Sequence, residues 1–235
     1  MGVQERKERE FRRREDEILA AALALFKGDN WQSVTVEQIA ERAEIGKGTI
    51  YKHFPSKDEI YARLVMTYQR TAIDKLRRID RNLDVIQRLR AIIAVTFEQN
   101  LAAQEYQRLV QYSSRDDFRN SLSEPTRSTL QQQDDEFFGL INEVLEEGVR
   151  QSILPRKTPQ ELLFGPMAAL LGARTMMWNQ CMCPGPPVSA ETLNELSNFV
   201  LAGMLYQEWL AEEGLLDDEA MERALSELAE VTQEV

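Results

Sequence analysis

Thr35-Val36-Glu37-Gln38-Ile39-Ala40 and, after five residues, Gly46-Lys47-Gly48-Thr49-Ile50-Tyr51-Lys52-His53-Phe54-Pro55-Ser56-Lys57-Asp58-Glu59-Ile60 decide how this chain is read. Thr35 is placed to cap a short helix, and Gln38, three residues on, returns the bond in a capping box. Val36, Ile39, Ala40 and Ala43 then fall on one apolar stripe. Glu44 and Ile45 turn the chain. A third short helix runs from about Gly46 to His53 and stops before Pro55, because the residue preceding a proline avoids helical dihedral angles. Ile45, Ile50 and Phe54 anchor it inward, leaving Lys47, Gly48, Tyr51 and Lys52 on the other side, flanked by Thr49 and His53. Lysines neutralise phosphate, while hydroxyls and imidazole hydrogen-bond at short range. That outward surface is composed as contact with base edges and phosphates requires. Ser56 caps a fourth helix that starts near Lys57 and continues beyond Leu76.

Working outward, the first helix is expected to begin in Arg12-Arg13-Arg14 and to run to about Lys27. Ile18, Ala22, Leu25 and Phe26 mark its buried stripe, and Gly28-Asp29-Asn30 end it. Short helices in this order, with a brief turn between the second and third, match a helix-turn-helix unit. Arg12, Arg13 and Arg14 can enter an adjacent minor groove as a basic arm. Glu5, Glu8 and Glu10 stand at helical pairing distance, so the same stretch also reads as an extended, solvated helix.

Over about 30 positions the quoted motifs resemble the DNA-binding signature of the TetR/AcrR family of transcriptional regulators. The likeness extends over roughly residues 12 to 65. It implies a homodimer that binds a near-palindromic operator in double-stranded DNA, most often as a repressor, and is released by a small-molecule effector. It further implies that Gly46 to His53 form the recognition helix, that Thr35 meets phosphate, and that Lys47, Thr49, Tyr51 and His53 make groove and backbone contacts. Lys52 shares that surface, Lys57 grips phosphate from the fourth helix, and Gly48 allows close approach. Glu44 departs from the pattern, since the family commonly places glycine in this turn, where a positive φ suits glycine better than glutamate.

With 235 residues, 43% hydrophobic and 29% charged, the chain has ample material for a core. Residues 1–90 carry 19 Lys and Arg against 15 Asp and Glu, a net +4, whereas residues 91–235 carry 9 against 24, a net −15. A basic front suits a polyanion, and an acidic rear suits water. No apolar run reaches the roughly 18 residues of a membrane span and the N-terminus lacks a signal peptide's character, so a cytoplasmic protein is expected. One histidine and two cysteines, Cys181 and Cys183, make hydrolytic triads and zinc sites awkward. No cofactor and no catalytic residues are expected. A redox or metal role for the two cysteines stays open.

Beyond the front unit the chain reads as helix throughout, giving an all-α fold in three parts. These are a helix-turn-helix domain with its basic arm at 1–57, a larger effector-binding and dimerisation domain at 58–213, and an acidic helix or tail at 214–235. Phe137, Phe138, Ile141, Val144 and Leu145 mark one long helix. Its acids Asp134, Asp135, Glu136, Glu143, Glu146 and Glu147 read as a solvated face. Two segments, about Thr158 to Gln180 and Thr192 to Leu210, are apolar over more than one face and so need covering on both sides. Leu170, Ala173, Phe199, Val200, Gly203 and Met204 are the expected dimer interface. Phe137, Phe138, Met167, Met177 and Trp178 are candidates to line a largely apolar effector pocket, with Arg174 as anchor for an anionic group or as partner of an acid across the dimer. The alternative is an all-helical small-molecule or lipid-binding protein, or an enzyme, in which the helix-turn-helix is vestigial.

Overall fold

A computed structural model describes residues 2–28, 31–102, 104–178 and 189–206. Within them the chain forms ten α-helices and one short 3-10 turn, Trp31–Ser33, and no strand. The front unit comprises α1 (Val3–Phe26), α2 (Val36–Arg42) and α3 (Lys47–His53). The capping box expected at α2 is present, with the Gln38 amide donating to Thr35 Oγ1 at 3.3 Å and the Thr35 amide to Gln38 Oε1 at 2.9 Å. Ser56 caps α4 (Lys57–Arg77) through the Glu59 amide at 3.2 Å.

The first helix starts earlier than expected, at Val3 rather than near Arg12. Pairing along the helix explains this. Arg13 bonds Glu10 and Glu17, the latter at 2.9 Å, and Arg14 bonds Glu17 at 2.7 Å, so charges one turn apart sustain a helix that has little apolar surface there.

Behind the front unit run α5 (Val85–Ala102), α6 (Gln104–Ser113), α7 (Asp116–Ser121), α8 (Glu124–Arg150), α9 (Pro159–Trp178) and α10 (Ala190–Leu205). Two apolar cores result. The front core gathers Ile18, Phe26, Ile39, Ile50, Phe54 and Tyr61 with Leu109 of α6, Phe118 of α7 and Leu130 of α8. The rear core gathers Leu76, Leu89, Phe97, Ile141, Leu145, Leu170, Val200 and Met204. Helix α4 enters both, since Ile60 and Val65 belong to the first and Leu76 to the second. Among the described residues no helix is long and apolar enough to cross a membrane. The side chains of Met177 and Trp178, and Cys181, Cys183 and residues 207–235, lie outside the described part.

Candidate functional site: a nucleic-acid surface and a helical cavity

Helix α3 is held by its inward residues. Ile50 is fully buried and Phe54 nearly so, while Lys47, Gly48, Tyr51 and Lys52 face solvent and Thr49 lies at the margin. Tyr51 is 46% exposed, an orientation that leaves a large aromatic ring in water when the chain is alone. Lys47 sits 5.8 Å from the centre of that ring and pairs with Glu37 of α2. The lysine holds the Glu37 carboxyl below the usual carboxylate range, and Glu37 raises the lysine in return. Nothing in the motif reading singled out Glu37, although it stands in the first turn of α2, within the motif itself. Glu44 adopts φ 54°, the left-handed conformation that its departure from glycine put in question.

Two expected contacts are placed differently. The His53 side chain is only 7% exposed; its ring lies 4.0 Å from that of Phe11, and Nδ1 is 4.0 Å from Glu15 of α1. The imidazole thus packs α3 on the lengthened α1 instead of joining Tyr51 on the outer surface. Lys57 turns inward as well, donating to the Val34 carbonyl at 3.0 Å with its ammonium 5.6 Å from the Tyr61 ring and 6.0 Å from the Tyr112 ring. A carbonyl and two aromatic faces satisfy the charge locally, so it is not displayed for phosphate. Thr35 remains exposed at the start of α2, Arg12 is exposed on α1, and Arg13 and Arg14 are engaged with Glu10 and Glu17.

A cavity of about 390 Å³ opens between α4, α5, α6, α8 and α9. Phe137, Phe138, Met167 and Arg174, the sequence candidates for an effector pocket, are among the residues that line it. Leu170 lines it too, and is thereby moved from the expected dimer face to the interior. Val200 and Met204 are likewise buried in the rear core of a single chain, because α10 turns them toward α5. Ala173 is half-buried, and only Phe199 and Gly203 of that set face outward. Arg174 is 8% exposed, and desolvation lowers its pKa, opposed by Tyr68. On the α8 side, Asp134 accepts from Arg119 at 2.7 Å and from Gln69 at 2.7 Å, Glu136 pairs with Arg70 and Arg77, and Glu147 pairs with Arg88 at 2.6 Å. Those three acids are bonded between helices, whereas Asp135, Glu143 and Glu146 form the exposed face read from the sequence.

Between surface and cavity stands α6. Val110, Ser113 and Ser114 border the cavity, whereas Arg108 and Tyr112, four residues apart, lie on another side of the helix. Arg108 donates to the carbonyls of Phe26 and Gly28, both at 2.7 Å, at the C-terminal end of α1. Tyr112 donates to Asp58 at 2.8 Å, and burial, reinforced by that bond, raises its hydroxyl to about 12. Tyr61 is stacked between Phe26 and Tyr112, with ring centres 4.1 and 4.4 Å away. Buried Glu59 accepts from the Ser123 amide at 2.6 Å and from Thr126 at 2.5 Å.

The chain thus carries a helix-turn-helix on a larger helical body with an internal cavity. Residues 18–64 match the family model described as bacterial regulatory proteins, tetR family. Over that segment the chain resembles the DNA-binding part of that family's regulators. It is 41% identical over 54 residues to the HTH-type transcriptional regulator TcmR of Streptomyces glaucescens, which covers 23% of this chain and 24% of that protein. It is 22% identical over 196 residues to the HTH-type transcriptional repressor KstR2 of Mycobacterium tuberculosis, covering 83% and 94%. In fold it resembles the transcriptional regulator FadR of Bacillus subtilis in complex with stearoyl-CoA, with a TM-score of 0.60, 18% identity and coverage of 80% and 96%.

Proposed function

We propose that the chain is a repressor that binds a near-palindromic operator as a homodimer and is released by a small-molecule effector, acting in the cytoplasm as a regulator and not as an enzyme. The observation that carries this reading is the solvent-facing surface of α3, where Lys47, Gly48, Tyr51 and Lys52 lie together over a fully buried Ile50. Lys47 and Lys52 meet phosphates, Thr49 and Tyr51 reach base edges, and Thr35 adds a backbone contact from α2. Arg12 approaches the adjoining backbone from α1. His53 and Lys57 act from behind, fixing α3 against α1 and the start of α4 against the Val34 carbonyl.

Two such readers on successive major grooves need a dimer, with recognition helices about 34 Å apart. Its support is the outward side of α9 and α10. Phe164 is 78% and Phe199 71% exposed, Leu171 and Tyr206 flank them, and Gly172 and Gly203 have open space above them for close approach by another helix. Large apolar side chains left exposed in this way on two neighbouring helices mark an association surface.

The cavity between α4 and α9 is the effector site in this reading, and α6 is the link. An effector displacing Val110 or Ser113 moves the same helix that holds the end of α1 through Arg108 and the start of α4 through Tyr112 and Asp58. Release requires that the effector prefer the arrangement in which the two readers no longer match the operator. Selection of bound sequences from random DNA, followed by titration of the winner against salt, tests the function. The expected result is a sequence-selective site with a steep negative salt slope; absence of selectivity from every pool contradicts it.

A further inference from the structure

The cavity between α4, α5, α6, α8 and α9 has an inner and an outer wall. Val65, Leu130 and Leu170 line it from the core and are buried. Phe138 of α8 and Met167 and Leu171 of α9 line it too, yet they are 41%, 37% and 46% exposed, so these side chains border both the cavity and solvent. Small-molecule sites ordinarily bury roughly 70–90% of the ligand's surface, and an outer wall this thin calls for a cover. Met167 and Leu171 also belong to a second surface. With Phe164 they stand at i, i+3 and i+7, one stripe along α9, and Phe164 is among the residues that support pairing. Helix α9 carries no charged residue from Leu162 to Ala173, and α10 carries none from Leu196 to Leu205, although residues 91–235 have a net charge of −15. Two acidic rears brought together set like charges against each other wherever acids line the contact. The uncharged stripe is where a second copy of this chain can seat without that cost.

We propose, resting on the readings of α9 and α10 as the pairing face and of the cavity as the effector site, that each effector site is completed by the partner subunit, which covers Met167 and Leu171 and closes the outer wall. A ligand then binds the dimer more tightly than the monomer, and by reciprocity it holds the dimer together. Release from DNA accordingly proceeds within an intact dimer, through a change in the relation of its two readers and not through separation of the subunits.

The test compares the parent chain with the Phe199→Asp, Gly203→Glu double variant, whose altered positions lie on α10 and outside the cavity wall. Sedimentation equilibrium is expected to find the parent a dimer and the variant a monomer, with equal helicity by circular dichroism. In calorimetric titrations with decanoate and with 1-decanol, the tighter probe is expected to bind the parent about tenfold or more tightly than the variant. Saturation with that probe then lowers the parent's dimer dissociation constant by about a hundredfold, the square of the gain at one site, because a dimer holds two. A second measurement needs neither ligand nor monomeric variant. Maleimide labelling of the Met167→Cys chain, followed at that position by peptide mass spectrometry, is expected to be several-fold slower in the dimer than after dilution has dissociated it. The Ile86→Cys chain, altered at an exposed position on α5, labels at one rate in both. Equal probe affinity in parent and variant, or labelling at position 167 that ignores dissociation, overturns the proposal while leaving the dimer in place. A parent that sediments as a monomer overturns it together with the pairing face. Failure of both probes to bind overturns it together with the assignment of the cavity; operator binding by the parent reports separately on the regulator function.

Discussion

At the position of Glu44 the backbone stands in the left-handed region, φ 54°, where a side chain costs about 1–2 kcal/mol that glycine does not incur. After allowance for glycine's larger loss of freedom on folding, Glu44→Gly is expected to stabilise the chain by about 0.5–1 kcal/mol and to raise Tm by roughly 2–4 °C, measured calorimetrically. An unchanged or lower Tm shows that the turn is held by contacts of Glu44 itself. Lys47 offers a second expectation, because Glu37 already occupies its ammonium in the free protein. Glu37→Gln frees the lysine for phosphate and removes a negative charge from the surface, so operator affinity rises a few-fold at low salt in a filter-binding titration, and less at high salt. A fall in affinity places Glu37 among the contacts to DNA. Glu44 could be flagged in advance because a turn of this kind restricts backbone angle, and the residue type is visible. His53 and Lys57 could not be placed in the same way, since helical spacing puts both beside the outer surface while their real partners, Phe11, Glu15 and Val34, belong to other segments of the chain.

Helix positions and faces followed from local pattern wherever a cap or an apolar stripe was strong, as at Thr35, Ser56 and Ile50. The start of α1 did not, because ion pairs along Glu10, Arg13, Arg14 and Glu17 extend a helix that apolar periodicity alone would begin later. The sequence of α9 and α10 is apolar on two sides, but which side meets the core depends on the third dimension: Leu170, Val200 and Met204 turn inward, and Phe164 and Phe199 outward. Helix α6 carried no motif at all, yet Arg108 and Tyr112 join it to α1 and α4. Arg108→Ala is expected to leave effector binding and operator binding each within about threefold of the parent, while the factor by which effector weakens operator binding falls from the ordinary 5- to 150-fold range to about twofold or less. Paired titrations with and without effector measure it, and full retention of that factor removes α6 from the route.

For the whole molecule, charge and assembly belong together. A net +4 over residues 1–90 and a net −15 over residues 91–235 favour approach to DNA front first, and in the proposed dimer, pairing through the rear sets two fronts side by side. Phe199→Asp combined with Phe164→Asp is expected to raise the dimer dissociation constant by about a hundredfold or more in sedimentation equilibrium with helicity unchanged, because each buries a charge at the centre of the proposed face. A persisting dimer assigns the interface elsewhere. The most direct check of the central claim, that α3 presents Lys47 and Tyr51 to the major groove, is dimethyl sulfate footprinting of the selected operator, which reports guanine N7 in that groove. The expected pattern is two patches of N7 protection about one helical turn apart, lost in the Lys47→Ala, Tyr51→Ala double variant while the dimer stays intact. Protection that is unchanged in the double variant, or N7 atoms left fully reactive beneath bound protein, contradicts it.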